Sequence, residues 1–143
     1  MEGYSLVYNK LKDTLLEQPF VNEVTEGLGD EIDLSKQTIF PLAHIVVNNA
    51  LPDGNHVTFQ VTIYFTDIVD ISDNGANNKH DVMNTQYNVA LRLFELLRRG
   101  ELWNDKMEVA GCSLATFEQA YENYLAGWTM ELTILVPNHM TIC

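Results

Sequence analysis

The sequence is poor in cysteine and in basic residues, and it lacks any long apolar run. Cys112 and Cys143 are the only cysteines among 143 residues, so we expect two free thiols and no disulfide framework. No apolar run approaches the roughly 20 residues that cross a membrane, and the N-terminal segment is charged and amphipathic, unlike a signal peptide. These absences predict an intracellular protein without a membrane span.

Basic residues are outnumbered: 8 Lys and Arg face 20 Asp and Glu, and the formal net charge is −12. Nucleic-acid binding depends on clustered Lys and Arg, so a chain of this charge is expected to repel DNA and RNA. Arg98 and Arg99 are adjacent, but they precede Gly100 at the end of a predicted helix, where cations stabilise the terminus. Hydrophobic residues make up 46% of the chain, which excludes a disordered tail and predicts one domain over residues 1–143.

Apolar periodicity predicts two helices. Four apolar residues from Tyr4 to Leu15 are spaced four, three and four positions apart, which places them on one face of a helix that Pro19 ends. A second helix is predicted from Asn77 to Arg99, where a wide apolar stripe suits packing on a sheet. Both helices are therefore expected to be amphipathic and to cover a sheet.

Alternation with a period of two predicts the strands. The Pro-Asp-Gly turn at 52–54 divides the segment 39–70 into a hairpin. In its second strand, one face is apolar (Val57, Phe59, Val61, Ile63 and Phe65) and the other is polar (Thr58, Gln60, Thr62, Tyr64 and Thr66). Further strands are predicted over 107–116 and 128–136. A short strand is expected around 21–24, at the start of an exposed acidic loop from Asn22 to Gln37.

These elements predict an α+β domain in which an N-terminal helix and a long central helix pack on one face of an antiparallel sheet. Six apolar residues should meet in the core between sheet and helices: Phe59, Val61, Ile63, Leu93, Leu132 and Ile134. Phe59→Ala should then cost about 3–5 kcal/mol. Thr62→Ala, on the polar face, is expected to change the stability of the monomer very little.

Residues 70–81, DISDNGANNKHD, partly match the calcium-binding loop of an EF-hand. Asp70, Ser72 and Asn74 fall at ligand positions, Gly75 at the turn and Asp81 at the last position. An EF-hand loop needs a helix before it, however, whereas the preceding segment alternates as a strand. The final ligand is also Asp rather than the usual bidentate Glu. A turn leading into a helix explains the same residues, so we expect no calcium binding tighter than about the millimolar range.

No other pattern predicts catalysis. The sequence contains no phosphate-binding glycine loop, nucleophile elbow or CxxC pair. His44 lies in an apolar strand and is expected to be a satisfied structural residue. His139 and Cys143 have metal-ligand spacing, but they stand alone in the C-terminal tail. We therefore predict no enzyme activity, no cofactor, and no catalytic or metal-binding residue.

Two segments carry a resemblance to a known family. They are the helix that leads through a polar loop into IFPLAHIVVNNA, and the alternating strand HVTFQVTIYFTDIVD that runs into a loop and a long helix. Over about residues 4–136, this arrangement resembles the tail terminator and tail-completion (neck) proteins of tailed bacteriophages. The resemblance concerns the order of elements and the length, and no single residue is diagnostic of it.

The resemblance implies a structural virion protein at the head–tail junction, made in the host cytoplasm, that ends the tail tube and joins it to the connector. It implies a ring of about six copies, or about twelve, with the tail tube protein and the connector proteins as further partners. DNA would pass through the ring without specific binding. Two alternatives stay open: a monomeric acidic adaptor, and a calcium-binding or enzymatic domain around Asp70 to Asp81.

The residues themselves suggest which surfaces such a ring would use. A polar strand face and a long acidic loop are the candidate interface: Thr58, Gln60, Thr62, Tyr64, Glu23, Glu26, Asp30, Glu31 and Asp33. Three further acids near the end of the second hairpin strand are candidates to line a lumen: Asp67, Asp70 and Asp73. Carboxylates on a lumen would repel DNA phosphates and leave the conduit open.

Overall fold

Five strands form one sheet in a computed structural model of the chain. The structure describes residues 4–18, 21, 23–26, 41–68, 79–98, 108–120 and 124–137. The elements are α1 (Tyr4–Leu16), β1 (Glu23–Glu26), β2 (Leu42–Pro52), β3 (His56–Ile68), α2 (Lys79–Arg98), β4 (Glu108–Ala120) and β5 (Tyr124–Pro137). The strand order is β1-β2-β3-β5-β4. The fold is therefore α+β, as predicted.

The sheet is mixed, whereas a wholly antiparallel sheet was predicted. β1 pairs with β2 in parallel, with Glu23 opposite Leu42 and Glu26 opposite Ile45. The other three pairings are antiparallel. A parallel pair needs a crossover connection of about a dozen residues or more, and the segment 27–41 supplies that length. The first part of the predicted exposed loop is thus an edge strand, two residues later than the short strand expected around 21–24.

The predicted hairpin is formed by β2 and β3, and Asp53 holds its turn. The Asp53 Oδ1 accepts hydrogen bonds from the backbone N–H groups of Asn55 and His56, both at 2.8 Å. The Asp53 N–H donates to the His56 carbonyl at 2.8 Å. The hydrogen bonds from His56 and then Asn55 lower the pKa of the Asp53 carboxyl. The turn residues therefore act through a defined side-chain bond and not only through composition.

The alternation predicted for the second hairpin strand is confirmed in β3. We call its odd-numbered residues, with their cross-strand partners, the core face. Phe59, Val61, Ile63 and Phe65 are buried there at 5% exposure or less. They belong to one cluster with residues of β2, β5 and both helices, and all six residues predicted to meet in the core lie in it. Burial of this apolar surface is the main stabilising contribution to the fold.

Helix α2 begins at Lys79 and ends at Arg98, one or two residues inside the predicted bounds. Arg98 lies in its last turn, where it bonds to Glu95 at 2.7 Å, and this ion pair raises the pKa of the arginine. The helix is joined to the sheet through Trp128 of β5, whose Nε1–H donates to the Met83 carbonyl at 2.9 Å. The ring of Tyr87 meets the Trp128 ring edge-on at 5.4 Å. These contacts set the position of α2 along β5.

Strands β4 and β5 are longer than predicted. The sequence predicts a loop after Thr116, but β4 continues to Ala120 and β5 already begins at Tyr124. The two strands pair over almost their whole lengths, from Glu108 opposite Leu135 to Ala120 opposite Tyr124. The prediction was wrong because residues 117–120 and 124–127 do not alternate cleanly, whereas pairing between β4 and β5 holds them extended.

Candidate interaction surface

The side of the sheet opposite the core face carries most of the described candidate residues. We call this side the polar face. It consists of the even-numbered residues of β3, the residues that pair with them on β2 and β5, and the β4 residues that pair with those of β5. The β3 residues Thr58, Gln60, Thr62 and Tyr64 lie side by side along it, as predicted from alternation. The candidate strand residues are therefore one continuous surface rather than scattered positions.

Side-chain hydrogen bonds order this surface. The Asn49 Nδ2 donates to the Gln60 Oε1 at 2.9 Å, and the Asn48 Nδ2 donates to the Thr62 Oγ1 at 2.7 Å. The β2 strand has a register shift between Val47 and Asn49, which brings the two successive asparagines opposite β3. The amide and hydroxyl groups thus form a fixed polar array, with Gln60 exposed at its centre.

Charge is depleted on the polar face. Over β2 to β5 its residues include two carboxylates, Glu108 and Glu131, and no Lys or Arg. In the chain as a whole, 20% of residues are charged and the formal net charge is −12. A surface with so few charged residues in so acidic a protein has the composition of an interface core, where charged residues are depleted.

One end of the polar face is buried, which the sequence did not predict. Thr62 is 8% exposed and Thr66 is fully buried. Leu42 and Leu125 form a second apolar cluster there with the rings of Tyr64 and Phe117, which meet edge-on at 5.2 Å. Thr62 therefore contributes to the fold through burial and its bond to Asn48. This revises the expectation that Thr62→Ala would leave the monomer unaffected.

His44 belongs to the same buried end. It is 1% exposed, and its Nδ1 lies 2.6 Å from the Thr25 Oγ1 of β1, within hydrogen-bond distance. Its ring is tilted against that of Tyr64 at 6.1 Å. A histidine so enclosed joins β1 to β2 and has no access to a substrate, in agreement with the structural role expected from its apolar strand.

Among the described acidic candidates, Asp67 is not brought together with the polar face. Asp67 lies opposite Ala126, on the core-face side of the alternation, and it is half-buried. Burial raises the pKa of its carboxyl, and the hydrogen bond from the Ile68 N–H opposes that shift. Glu23 and Glu26 lie in β1. Five acids lie outside the described residues: Asp30, Glu31, Asp33, Asp70 and Asp73.

The structure describes the two elements that border the candidate calcium loop. The element before it is the strand β3, ending at Ile68, as predicted. Residues 69–78 lie outside the described part, and Asp81 is exposed in the first turn of α2. Within the described ranges, no three His, Cys, Asp or Glu side chains are grouped so that they could hold a metal ion.

In the described part of the chain, neither helix has the length and apolar character needed to cross a membrane.

The sequence also did not indicate which strands lie at the edges of the sheet. Periodicity indicates which residues form strands, but it does not indicate which strand lies at an edge. β4 is an edge strand of 13 residues. Exposed residues Ser113, Ala115 and Thr116 lie along it.

Among known proteins, no family model matches the chain, and no curated protein matches it either.

Proposed function

We propose that this chain is a structural subunit that closes into a ring at the head–tail junction of a tailed bacteriophage. There it would end the tail tube and join it to the connector. The observation that supports this best is the charge-depleted polar face, because a closed ring needs surfaces that become covered only on assembly. The proposed role is architectural, and the interactions that carry it are contacts between protein surfaces.

We further infer that both helices cover the core face and leave the polar face open to a partner. Val7, Leu11 and Leu15 of α1 share one cluster with Leu93 and Leu97 of α2 and with the core-face residues of β3 and β5. An antiparallel sheet commonly packs one face on its core and leaves the other free. On this arrangement, the surface around the exposed Gln60 is available for docking.

The acidity of the chain supports a conduit for DNA. A formal net charge of −12 creates a field that repels phosphates. Carboxylates also offer no donors that could hold the DNA backbone. The candidate lumen acids Asp67, Asp70 and Asp73 would act in this way if they faced the channel. The half-burial of Asp67 makes it the least suited of the three.

The decisive experiment alters the polar face without altering the core. Gln60→Lys places a charge at the exposed centre of this face, and Asn88→Lys adds the same charge at an exposed position of α2. Both variants should fold with unchanged circular dichroism and melting. Only Gln60→Lys should fail to complete particles, visible in micrographs as unjoined heads and tails or as tails of irregular length.

The acidic candidates are tested in the same assay. Reversal of Asp30, Glu31 and Asp33 to Lys should leave folding intact and block particle completion if these acids face a lumen or a neighbouring protein. Normal infection by both sets of variants would remove these surfaces from the proposed interface. Absence of the protein from purified virions and from assembly intermediates would contradict the structural role and favour a monomeric adaptor that docks one partner through the same face.

A further inference from the structure

Among the described strands, both edges of the sheet lack a paired neighbour over most of their length. Within the described strands, β4 pairs with β5 alone. At the opposite edge, β1 covers β2 only from Leu42 to Ile45, so that among the residues described Val46–Pro52 has no strand on its side away from β3. We call this second segment the free β2 segment. As far as the described residues go, each edge therefore offers backbone N–H and C=O groups to a strand that approaches it.

Neither edge has a Lys, or a Pro before its last residue, although β4 carries the acids Glu108 and Glu118. Natural edge strands are kept apart by Lys, Pro, inward charges or bulges. β4 contains no Lys, Arg or Pro, and its register shift between Val109 and Gly111 lies near its start, which leaves 111–120 regular. The free β2 segment has no charged residue, and its only proline is its last residue. Its register shift lies between Val47 and Asn49, where the Asn48 side chain donates to Thr62 of β3. Such edges are suited to pairing.

The apolar surface at the two edges is also incomplete. On β4, Val109, Cys112 and Leu114 pack against the main cluster but remain only partly buried. Val47 is in the same condition on β2, and it lies on the same core face. Edge-to-edge pairing would bring the two sets of partly covered side chains together. It would thus bury apolar surface in addition to forming main-chain hydrogen bonds.

We propose that β4 of one copy pairs with the free β2 segment of the next copy, so that the sheet continues from subunit to subunit. This inference rests on the ring proposed above and names its contact. β4 runs opposite to β5, β5 opposite to β3, and β3 opposite to β2. A copy that continues the sheet in the same orientation therefore presents its β2 antiparallel to β4.

Length and symmetry agree with this contact. The free β2 segment spans seven residues, about 24 Å of strand, and β4 is long enough to pair with all of it. The two edges differ, so the contact is heterologous, which is the kind that closes into rings. Since every copy carries a formal net charge of −12, the copies repel one another, and added salt should favour assembly.

Disulfide trapping tests the pairing directly. In a background of Cys112→Ala and Cys143→Ala, one new cysteine is placed on β4, at Ser113 or Ala115. A second is placed on the free β2 segment, at Asn49 or Leu51. All four positions are exposed and lie on the polar face, and a disulfide forms only between Cα atoms within about 7 Å. At least one of the four combinations should give a ladder of covalent oligomers beyond the dimer on a non-reducing gel.

The controls separate this contact from the ring itself. Each single-cysteine variant should give no ladder, and neither should Ser113→Cys combined with Asn88→Cys on α2. Dimers, and nothing larger, from Ser113→Cys or Ala115→Cys alone would show two-fold pairing of β4 with β4 and overturn the proposal. Annular particles in micrographs without a ladder from any combination would overturn the edge pairing and leave the ring proposal standing. A protein that stays monomeric at every concentration and salt tested would overturn both.

A charge variant gives a second, quantitative measurement. Ala115→Lys places an edge lysine on β4 and lowers the net negative charge by one, as Asn88→Lys does on α2. If charge repulsion alone governed assembly, both variants would assemble more readily than the unmodified protein. We expect Ala115→Lys instead to raise the concentration needed for half-assembly by about tenfold or more, measured by mass photometry, because an edge lysine opposes pairing. Equal behaviour of the two variants would contradict the proposed contact.

Discussion

Gly127 provides the sharpest test of the packing of the central strands. It is buried in β5, opposite Thr66 of β3 and Phe117 of β4. A Cβ atom at this position would lie 1.7 Å from the Phe65 carbonyl oxygen, 2.8 Å from the Phe65 carbonyl carbon and 3.1 Å from the Thr66 Cα. The first of these distances is more than 1 Å inside the 3.0 Å below which real Cβ contacts are essentially never found. The clash is with backbone, so no side-chain rotation relieves it.

Gly127→Ala should therefore destabilise the protein, although most Gly→Ala changes at relaxed positions stabilise by about 0.4–1 kcal/mol. Forcing extra volume into a packed site costs about 1–3 kcal/mol or more, and here a β-ladder must shift. We expect a net loss of about 2–3 kcal/mol, or about 6–12 °C in melting temperature for a domain of this size. Urea unfolding followed by the fluorescence of Trp103 and Trp128 would measure it.

The chain supplies two matched controls for this substitution. A Cβ at Gly111 would have the Thr133 Oγ1 as its nearest neighbour at 4.0 Å, and one at Gly54 would meet nothing within 4 Å. Gly111→Ala and Gly54→Ala should therefore be neutral or slightly stabilising. If Gly127→Ala unfolded within about 0.5 kcal/mol of these controls, the close approach of β3 and β5 at Phe65 would be refuted.

Four other substitutions test the two faces of the sheet. Phe59→Ala should cost about 3–5 kcal/mol in urea unfolding, and Thr62→Ala about 0.5–1.5 kcal/mol through its lost hydrogen bond; the reverse order would mean that the faces are exchanged. Trp128→Phe should cost about 1–2 kcal/mol by leaving the Met83 carbonyl without its donor, and an unchanged unfolding midpoint would count against that bond. Asp67→Asn should stabilise at pH 7. Burial raises the pKa of Asp67 above 3.8, so the folded state carries a penalty for the charged form that disappears as pH falls through the raised pKa. Melting temperatures from pH 7 down to about pH 3 should converge between variant and parent, and parallel curves would exclude this cause.

The elements that depend on local pattern were predictable from the sequence. Helix α2 follows from its apolar stripe, β3 from strict alternation, and the hairpin from the turn chemistry around Asp53. In each case the pattern lies within about a dozen neighbouring residues. The alternation in β3 is so regular that its residues can be assigned to the two faces of the sheet in one way only. The six predicted core residues met in one cluster for this reason.

The parts that were missed depend on partners distant in sequence. Nothing near Glu23 indicates that β1 will pair with residues 42–45, and the parallel direction follows only from the long connection between them. The burial of Thr66 likewise depends on its place between Leu42 and Gly127, which come from strands far apart in the chain. Strand propensity and alternation depend on neighbouring residues, so they do not indicate which distant segments will pair.

The proposed interface consists of two kinds of surface, the polar face and the sheet edges, and only the first is predictable from alternation. The polar face could be anticipated, because one strand of alternating Thr, Gln and Tyr indicates a side that is neither a core nor a charged exterior. The open edges could not, since an edge is a property of strand order and not of any one strand. Both surfaces lack Lys and Arg, and the chain as a whole is strongly acidic. Self-assembly through them cannot draw on opposite charges, so it has to depend on main-chain pairing, apolar burial and screening by salt. A subunit built in this way would remain apart at low concentration and associate where a template raises the local concentration, as the proposed role at the end of a tail would require.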